Sequence, residues 1–460
     1  MEKYLSKLLE QIRCKKARTF IEQEIRGHME DQIADNKSHG MSEEQAVRAA
    51  VKDMGDPVET GISLDRIHKP QAAWSMIIIM VVISLFSILV HIMIGQGTEE
   101  IDGYSSAGYI TRAIRHIVIG FIAMLIVYRI DYSFMAKYAK VIAAIFLGFM
   151  FLQIFFLGDE RNGAMSFISL GGISISAIYF MLLFVPVYGA ILYQYHGLGY
   201  QGIIKSIFWM LVPAWLTLYI PCTSLSMTLF FMMAVLLSIA VRKDWFHISK
   251  KNFLIVFWSV IVALPILLLL KLHWLADYQS MRIRVLLSGE ISEYNYVGRL
   301  IKEYAASSKL FGTSGKKIIG VLPEYSRSYI LTVISTYYGI ITALIVCCLL
   351  AFVTFKIFRI SLRQKNQLGM IMGCGCGMVF LTNLGINIGI NVGIFPTAQT
   401  FLPFFSSGGT GIIVSYILIG IILSIYRYKN ILPTHVSNKI SNRFIRRRKA
   451  ESSYLPGTNK

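Results

Sequence analysis

The chain has 460 residues, of which 55% are hydrophobic and 15% charged, and its mean hydropathy is +0.57. Soluble domains are about a quarter charged, so this composition excludes a purely water-soluble protein and calls for lipid around much of the surface. The 45 Lys and Arg against 26 Asp and Glu leave a net charge of +19. No basic, aromatic-interleaved motif accompanies that excess, so it points to anionic headgroups and not to nucleic acid.

Residues 1–70 read as a separate soluble unit of three short amphipathic helices. Leu5, Leu8, Leu9 and Ile12 fall on one helical face, and Ile21, Ile25, Met29 and Ile33 repeat a stripe at i+4 spacing. Ser42-Glu43-Glu44-Gln45 has the capping-box form. Val47, Ala50, Val51 and Met54 follow on one face, with Gly55 at the helix end and Pro57 just beyond. His28 reads as a surface or packing residue. The first long apolar stretch begins near Ala73, too late for a cleavable signal peptide.

From Ala73 onward the chain is a series of apolar segments near the ~20 residues that cross a hydrocarbon core. They are 73–95, 113–129, 138–157, 172–194, 203–220, 225–241, 253–272, 329–355, 368–391 and 409–427. The fold class is therefore all-α: a polytopic membrane bundle of about ten transmembrane helices with a small soluble three-helix N-terminal domain. The domains are 1–70, the membrane bundle 71–430 and a basic tail 431–460. Cys14 lies in the soluble unit; Cys222, Cys347, Cys348, Cys374 and Cys376 lie in or beside apolar segments, where free Cys packs as a small hydrophobe. Cys374-Gly-Cys376 has neither metal-ligand spacing nor a neighbouring His.

Basic residues assign the sides. Arg129, Lys137, Lys140, Arg242, Lys243, Lys250, Lys251, Lys356, Arg359, Arg363 and Lys365 all fall on the side of the N-terminal unit, as do Arg443, Arg446, Arg447, Arg448 and Lys449 of the tail. The positive-inside bias makes that side, and both termini, cytoplasmic. The opposite side receives Glu99-Glu100, Asp102, Asp159-Glu160, the long loop 273–328 and the Pro/Gly-rich segment 393–409. Long loops are disproportionately functional, so chemistry is expected on the outer face.

The segment before the last span reads Asn387-Ile-Gly389-Ile-Asn-Val-Gly393-Ile-Phe-Pro396, then Leu402-Pro403-Phe404-Phe-Ser406-Ser-Gly408-Gly409. Proline and glycine at this density cannot continue a lipid-facing helix, which predicts a loop or re-entrant structure. This run resembles the signature before the last membrane helix of the SEDS proteins (the FtsW, RodA and SpoVE group). Asp277-Tyr278-Gln279-x-x-Arg282-Ile283, Leu322-Pro323-Glu324, Asn162-Gly163-Ala164 and Pro221 resemble further motifs of that family in order and spacing.

The resemblance implies a polymerase that extends peptidoglycan glycan strands from lipid II at the outer face of a bacterial cytoplasmic membrane. Its implied partner is a class B penicillin-binding protein. That reaction needs a carboxylate as general base and cations or backbone dipoles on the departing diphosphate. No cofactor is required by this reading, although a divalent cation is compatible with the diphosphate. The family's carboxylate position falls on Ser292, between Glu290 and Glu293, which are the candidate bases. Arg282 and Arg284 are candidates for the diphosphate, and Asn387, Ser406, Gly408 and Gly409 are candidate substrate-binding residues.

Other family carboxylates are replaced. The Q-P-S-E run becomes Ser176-Ala177-Ile178-Tyr179, the P-D-L-G aspartate becomes Cys222, and the acidic stretch after L-P-E becomes Ser328 and Thr336-Tyr337. These departures keep a second reading open, a non-catalytic scaffold or regulator of wall synthesis on the same fold. A lipid-linked precursor transporter ranks third, because few ionisable residues lie within the spans. The N-terminal unit, with Glu24-Ile-Arg-Gly-His28, Gly40-Met-Ser-Glu-Glu-Gln-Ala46 and Met54-Gly55-Asp56-Pro57, resembles the HAAS prefix domain of bacterial membrane proteins. That implies an unidentified cytoplasmic protein partner.

Overall fold

The computed structural model describes residues 1–96, 100–101, 104–161, 164–170, 173–220, 222–270, 280–281 and 296–430. It divides into two compact units. One holds Met1–Ala73, Gln364–Gln367 and the described residues 426–430; the other holds Trp74–Arg363 and Leu368–Ile425.

The first unit contains four helices, α1 (Glu2–Glu10), α2 (Lys15–Ser38), α3 (Glu43–Asp53) and α4 (Pro57–His68), where the sequence predicts three. The extra helix begins at the residue read as a terminator. Pro57 occupies the first turn, where its missing N–H costs nothing, and Asp56 caps it by accepting from the Val58 and Glu59 amides. The predicted capping box at Ser42 and Gln45 is formed. Leu5, Leu8, Ile12, Ile21, Met29, Ala46 and Ala50 are buried as the core. Gly61 lets α4 press on α1, because a Cβ there would lie 2.6 Å from the Leu8 carbonyl oxygen.

In the second unit, eight helices of the described residues are long and apolar enough to cross a membrane. They are α5 (Trp74–Gln96), α6 (Ser106–Arg129), α8 (Ala139–Leu157), α10 (Gly199–Tyr219), α11 (Thr223–Arg242), α15 (Ile340–Leu362), α16 (Gln367–Asn391) and α17 (Gly409–Arg427). The short α7 (Tyr132–Lys137) joins α6 to α8. Two further apolar helices, α9 (Ile178–Gln194) and α12 (Lys250–Leu270), bring the passes to the ten expected. Successive passes alternate direction, so the described residues of 100–105, 159–175, 222, 296–338 and 392–408 lie at one end, called distal below. Antiparallel hairpins there pair Glu100–Ile101 with Tyr104–Ser105, and Ala164–Leu170 with both Asp159–Arg161 and Ile173–Ile175.

Two predicted boundaries change. The segment read as a span from 172 starts as a strand and turns helical only at Ala177. Past α13 (Tyr296–Ser307), the segment 329–355 is broken at Gly339 into α14 (Ile330–Tyr338) and α15. Gly339 has φ +92, and a Cβ there would sit 2.5 Å from the Leu310 carbonyl oxygen, so the loop 309–314 crosses where only glycine fits. The predicted span 368–391 ends where α16 ends, at Asn391, so Asn387 and Gly389 of the motif stand on helix and the irregular segment follows.

α16 and α17 are the most enclosed of the eight helices. A Cβ on Gly373 would strike the Ser361 side chain of α15, and one on Gly377 would lie 2.9 Å from the Phe358 ring. Small residues four apart let helices approach closely where lipid supplies no hydrophobic drive for association. Cys374 and Cys376 are buried in the same helix.

Candidate functional site at the distal end

The site grows from the C-terminal turn of α16. Asn387 and Asn391 stand four residues apart on one helical face and are buried. The Asn387 side-chain amide donates to the Ser328 carbonyl at 3.0 Å. Asn391 accepts on Oδ1 from the Thr332 amide at 3.1 Å and its hydroxyl at 2.6 Å, and donates from Nδ2 to the Ser328 and Asn387 carbonyls. Two side chains of one helix thereby fasten the turn 322–332 that follows Leu322-Pro323-Glu324.

The segment 400–408 fastens the same turn from its other side. Ser406 Oγ accepts from the Leu402 amide and donates to the Arg327 carbonyl, both at 2.7 Å. The Ser407 amide donates to the Ser326 carbonyl at 2.8 Å, and the two serine hydroxyls bond each other at 2.8 Å. Phe404 takes a left-handed conformation, φ +67. It is held by stacking on Phe380, an edge contact with Tyr416, and the Ser87 hydroxyl donating to its carbonyl at 2.7 Å. Gly409 opens α17 directly under the His116 ring, where a Cβ would come within 2.6 Å of Nε2. Beside it, a Cβ on Gly408 would meet nothing within 4 Å, so the surface there is open.

Glu324 lies in this framework. It is half-buried, with φ +51, a conformation that a non-glycine residue holds only when its surroundings dictate it. Its Oε2 accepts from the Ser328 hydroxyl at 2.6 Å, the short distance of a charge-assisted bond. Ser328 Oγ also meets the Thr400 carbonyl at 3.0 Å and accepts from the Thr400 amide at 3.3 Å. Phe401, next in the chain, packs edge-on against Tyr179 at 5.0 Å between ring centroids. The Ser176 amide donates to Thr410 Oγ1 at 3.1 Å, tying the entry of α9 to the start of α17.

Three stretches distant in sequence thus meet: 176–179, 322–332 and 387–410. Of the sequence-predicted site residues, the structure brings Asn387, Ser406, Gly408 and Gly409 together. Asn387 and Ser406 are fully buried and spend their polar atoms on backbone of the turn and its flank, so they position it, while Gly408 borders open surface. Arg282, Arg284, Glu290 and Glu293 lie outside the described residues. Sequence reasoning did not single out Glu324 and Arg327 as residues of this framework. The signal available was the Leu-Pro-Glu run itself, but nothing in it shows that the turn is pinned at both sides. Among the described residues no three His, Cys, Asp or Glu side chains are grouped to hold a metal.

A bundle of apolar helices long enough to cross a membrane, with a buried polar framework at the distal end, defines a multi-pass membrane protein. The profile of the FtsW/RodA/SpoVE family, described as a cell cycle protein family, matches residues 72–431, and the chain belongs to that family. It is 24% identical over 374 residues to a probable peptidoglycan glycosyltransferase FtsW of Trichlorobacter lovleyi, covering 79% of this chain and 96% of that one. It is 27% identical over 187 residues to the peptidoglycan glycosyltransferase MrdB of Escherichia coli, covering 38% of this chain and 49% of the relative. Among solved structures, it shares its fold with a chain of a peptidoglycan synthase complex that coordinates polymerization and crosslinking. The TM-score is 0.63 at 16% identity, over 77% of this chain and 98% of that one. The rod shape determining protein RodA of Thermus thermophilus aligns with a TM-score of 0.55 at 13% identity, over 78% and 97% of the two chains.

Proposed function

We propose that the protein is a SEDS-type peptidoglycan glycosyltransferase that polymerises lipid II into glycan strands at the outer face of the bacterial cytoplasmic membrane. The carrying observation is that one family profile spans nearly the whole membrane bundle, while two of the family-like motifs, Leu322-Pro323-Glu324 and the run 387–409, meet in one distal framework. The distal end is the outer face on this reading, and the N-terminal domain 1–70 and the basic tail 431–460 are cytoplasmic. The basic residues Arg129, Lys137, Arg242, Lys243 and Arg363 then lie toward the anionic inner leaflet.

The reaction joins the C4 hydroxyl of one lipid-linked saccharide to the anomeric carbon of another, whose diphosphate departs. An outer carboxylate takes the proton, and cations or backbone N–H groups meet the developing charge on the diphosphate. By the register of the resemblance, Glu293 and Glu290 lie nearest the family's carboxylate, and Arg282 and Arg284 lie on the diphosphate side. A class B penicillin-binding protein is the partner within the membrane, and the N-terminal domain docks a cytoplasmic protein. The experiment is polymerisation of labelled lipid II by liposomes holding the full chain and its penicillin-binding partner. Glycan polymer is the expected product. A verified complex that yields none, while a relative in the same liposomes does, overturns the proposal in favour of the scaffold reading.

A further inference from the structure

We propose that the loop 309–312 is a membrane anchor: Leu310 and Phe311 enter the leaflet at the distal end, and the basic side chains around them hold anionic phospholipid headgroups. The inference goes beyond the glycosyltransferase reading and does not depend on it.

The backbone puts this loop at membrane depth. α15 has 23 residues. That is about 34 Å of helix against a hydrocarbon core of ~30 Å, so its first turn stands at the boundary. The first amides of a helix have no partner within it, and here the loop takes two of them. Ile340 donates to the Lys309 carbonyl at 2.9 Å, and Ile341 donates to the Leu310 carbonyl at 3.2 Å. Beyond the tip, the Ser314 amide donates to the Thr336 carbonyl of α14 at 2.8 Å. The tight crossing at Gly339, where a Cβ would strike backbone of Leu310 and Phe311, keeps the loop against the helix.

The side chains at the tip are left uncovered on this fixed backbone. Leu310 is 65% exposed and Phe311 72%. The helix that holds them is itself uncovered, with Ile340, Leu344 and Phe352 exposed along one side. The tip therefore extends an apolar surface that already meets hydrocarbon. Residues 296–321 hold Arg299, Lys302, Lys309, Lys316 and Lys317 against a single acid, Glu303, and all five basic residues are exposed. Glu303 is engaged by Lys316 at 2.7 Å. The Tyr304 hydroxyl donates to the Lys317 carbonyl at 2.8 Å, tying α13, with Arg299 and Lys302, to the same loop. On the orientation proposed above this is the outer side, where the positive-inside bias disfavours such an excess, so orientation does not account for it. Exposed apolar side chains flanked by basic ones suit the membrane interface. The apolar part lies among acyl chains, and the charges lie among anionic headgroups.

The test places a nitroxide at Phe311→Cys in the full chain, with the native cysteines replaced by alanine. The protein is reconstituted in vesicles of phosphatidylcholine, alone or mixed with phosphatidylglycerol. The label should be relaxed by oxygen and shielded from a water-soluble nickel chelate, as a group within the leaflet is. A label at Ala306→Cys, on the exposed side of α13, should show the reverse. Phosphatidylglycerol should deepen the label at 311, and Lys309→Gln/Lys316→Gln/Lys317→Gln should abolish that shift. If the cysteine-free chain fails to fold, the unsubstituted protein decides. A phosphatidylglycerol with a diazirine near the ester end of its acyl chain should then crosslink to the peptide that holds Leu310 and Phe311. Free access of nickel to 311 in both vesicle types, or no crosslink to that peptide, overturns the proposal. So does shielding that appears only when the penicillin-binding protein is added, which would make the tip a protein contact. Shielding with no response to phosphatidylglycerol overturns the headgroup assignment. None of these readouts involves polymerisation, so the glycosyltransferase reading stands or falls separately.

Discussion

Asn391 uses both ends of its amide, and its five bonds reach Thr332, Ser328 and Asn387. Asn391→Ala would leave the buried Thr332 amide without its acceptor. A buried polar group without a partner costs about 1–3 kcal/mol, so the substitution should lower stability by about 2–4 kcal/mol, read as a drop in unfolding midpoint in detergent. The asparagines and Ser406 are visible in the sequence as members of a signature. Their role as fasteners is not, because their partners lie 59 to 79 residues away in the chain. In the N-terminal unit, the hydrogen bond from the Arg26 guanidinium holds the Glu2 carboxyl below its ordinary value of 4.5. A lowered folded value adds stability above the ordinary one and loses it as pH falls through the lower one. Both groups are exposed, so the effect should be small. Glu2→Gln should lower the melting temperature slightly at neutral pH, and the difference should vanish below the ordinary carboxylate range.

At the scale of elements, termini were legible wherever a local side chain makes them. Ser42 caps α3 through both halves of the box, so Ser42→Ala should cost about 1 kcal/mol, measured by the melting of the N-terminal unit in the full chain. Pro57 shows the limit of local reading, since the same residue can follow one helix or open the next. Only the Asp56 carboxylate turned onto the following amides decides between them. The break at Gly339 was not legible, because the apolar run continues through it. A Cβ there would collide with backbone of the loop at Leu310 and Phe311. Gly339→Ala should therefore destabilise by about 2–4 kcal/mol, with the larger loss at the distal end detectable by hydrogen exchange.

At the scale of the whole molecule, the passes and the basic residues predict one orientation. In a variant retaining Cys14 as its sole cysteine, a membrane-impermeant maleimide should label intact cells weakly and permeabilised cells strongly. Labelling of intact cells at full strength would reverse the topology and move the distal site inside. Hydropathy alone determined the membrane class and the apolar helical segments, because the cost of exposing apolar surface to water depends on composition along the chain. The resemblance of short motifs added the family. Only the tertiary structure decided which polar residues meet. Hydrogen bonds and close approaches between segments such as 322–332 and 387–410 depend on how helices pack, and no periodicity in either segment encodes its distant partner. Asn387, Ser406 and Glu324 each stand in a readable motif, but that the first two hold the turn presenting the third follows from their contacts.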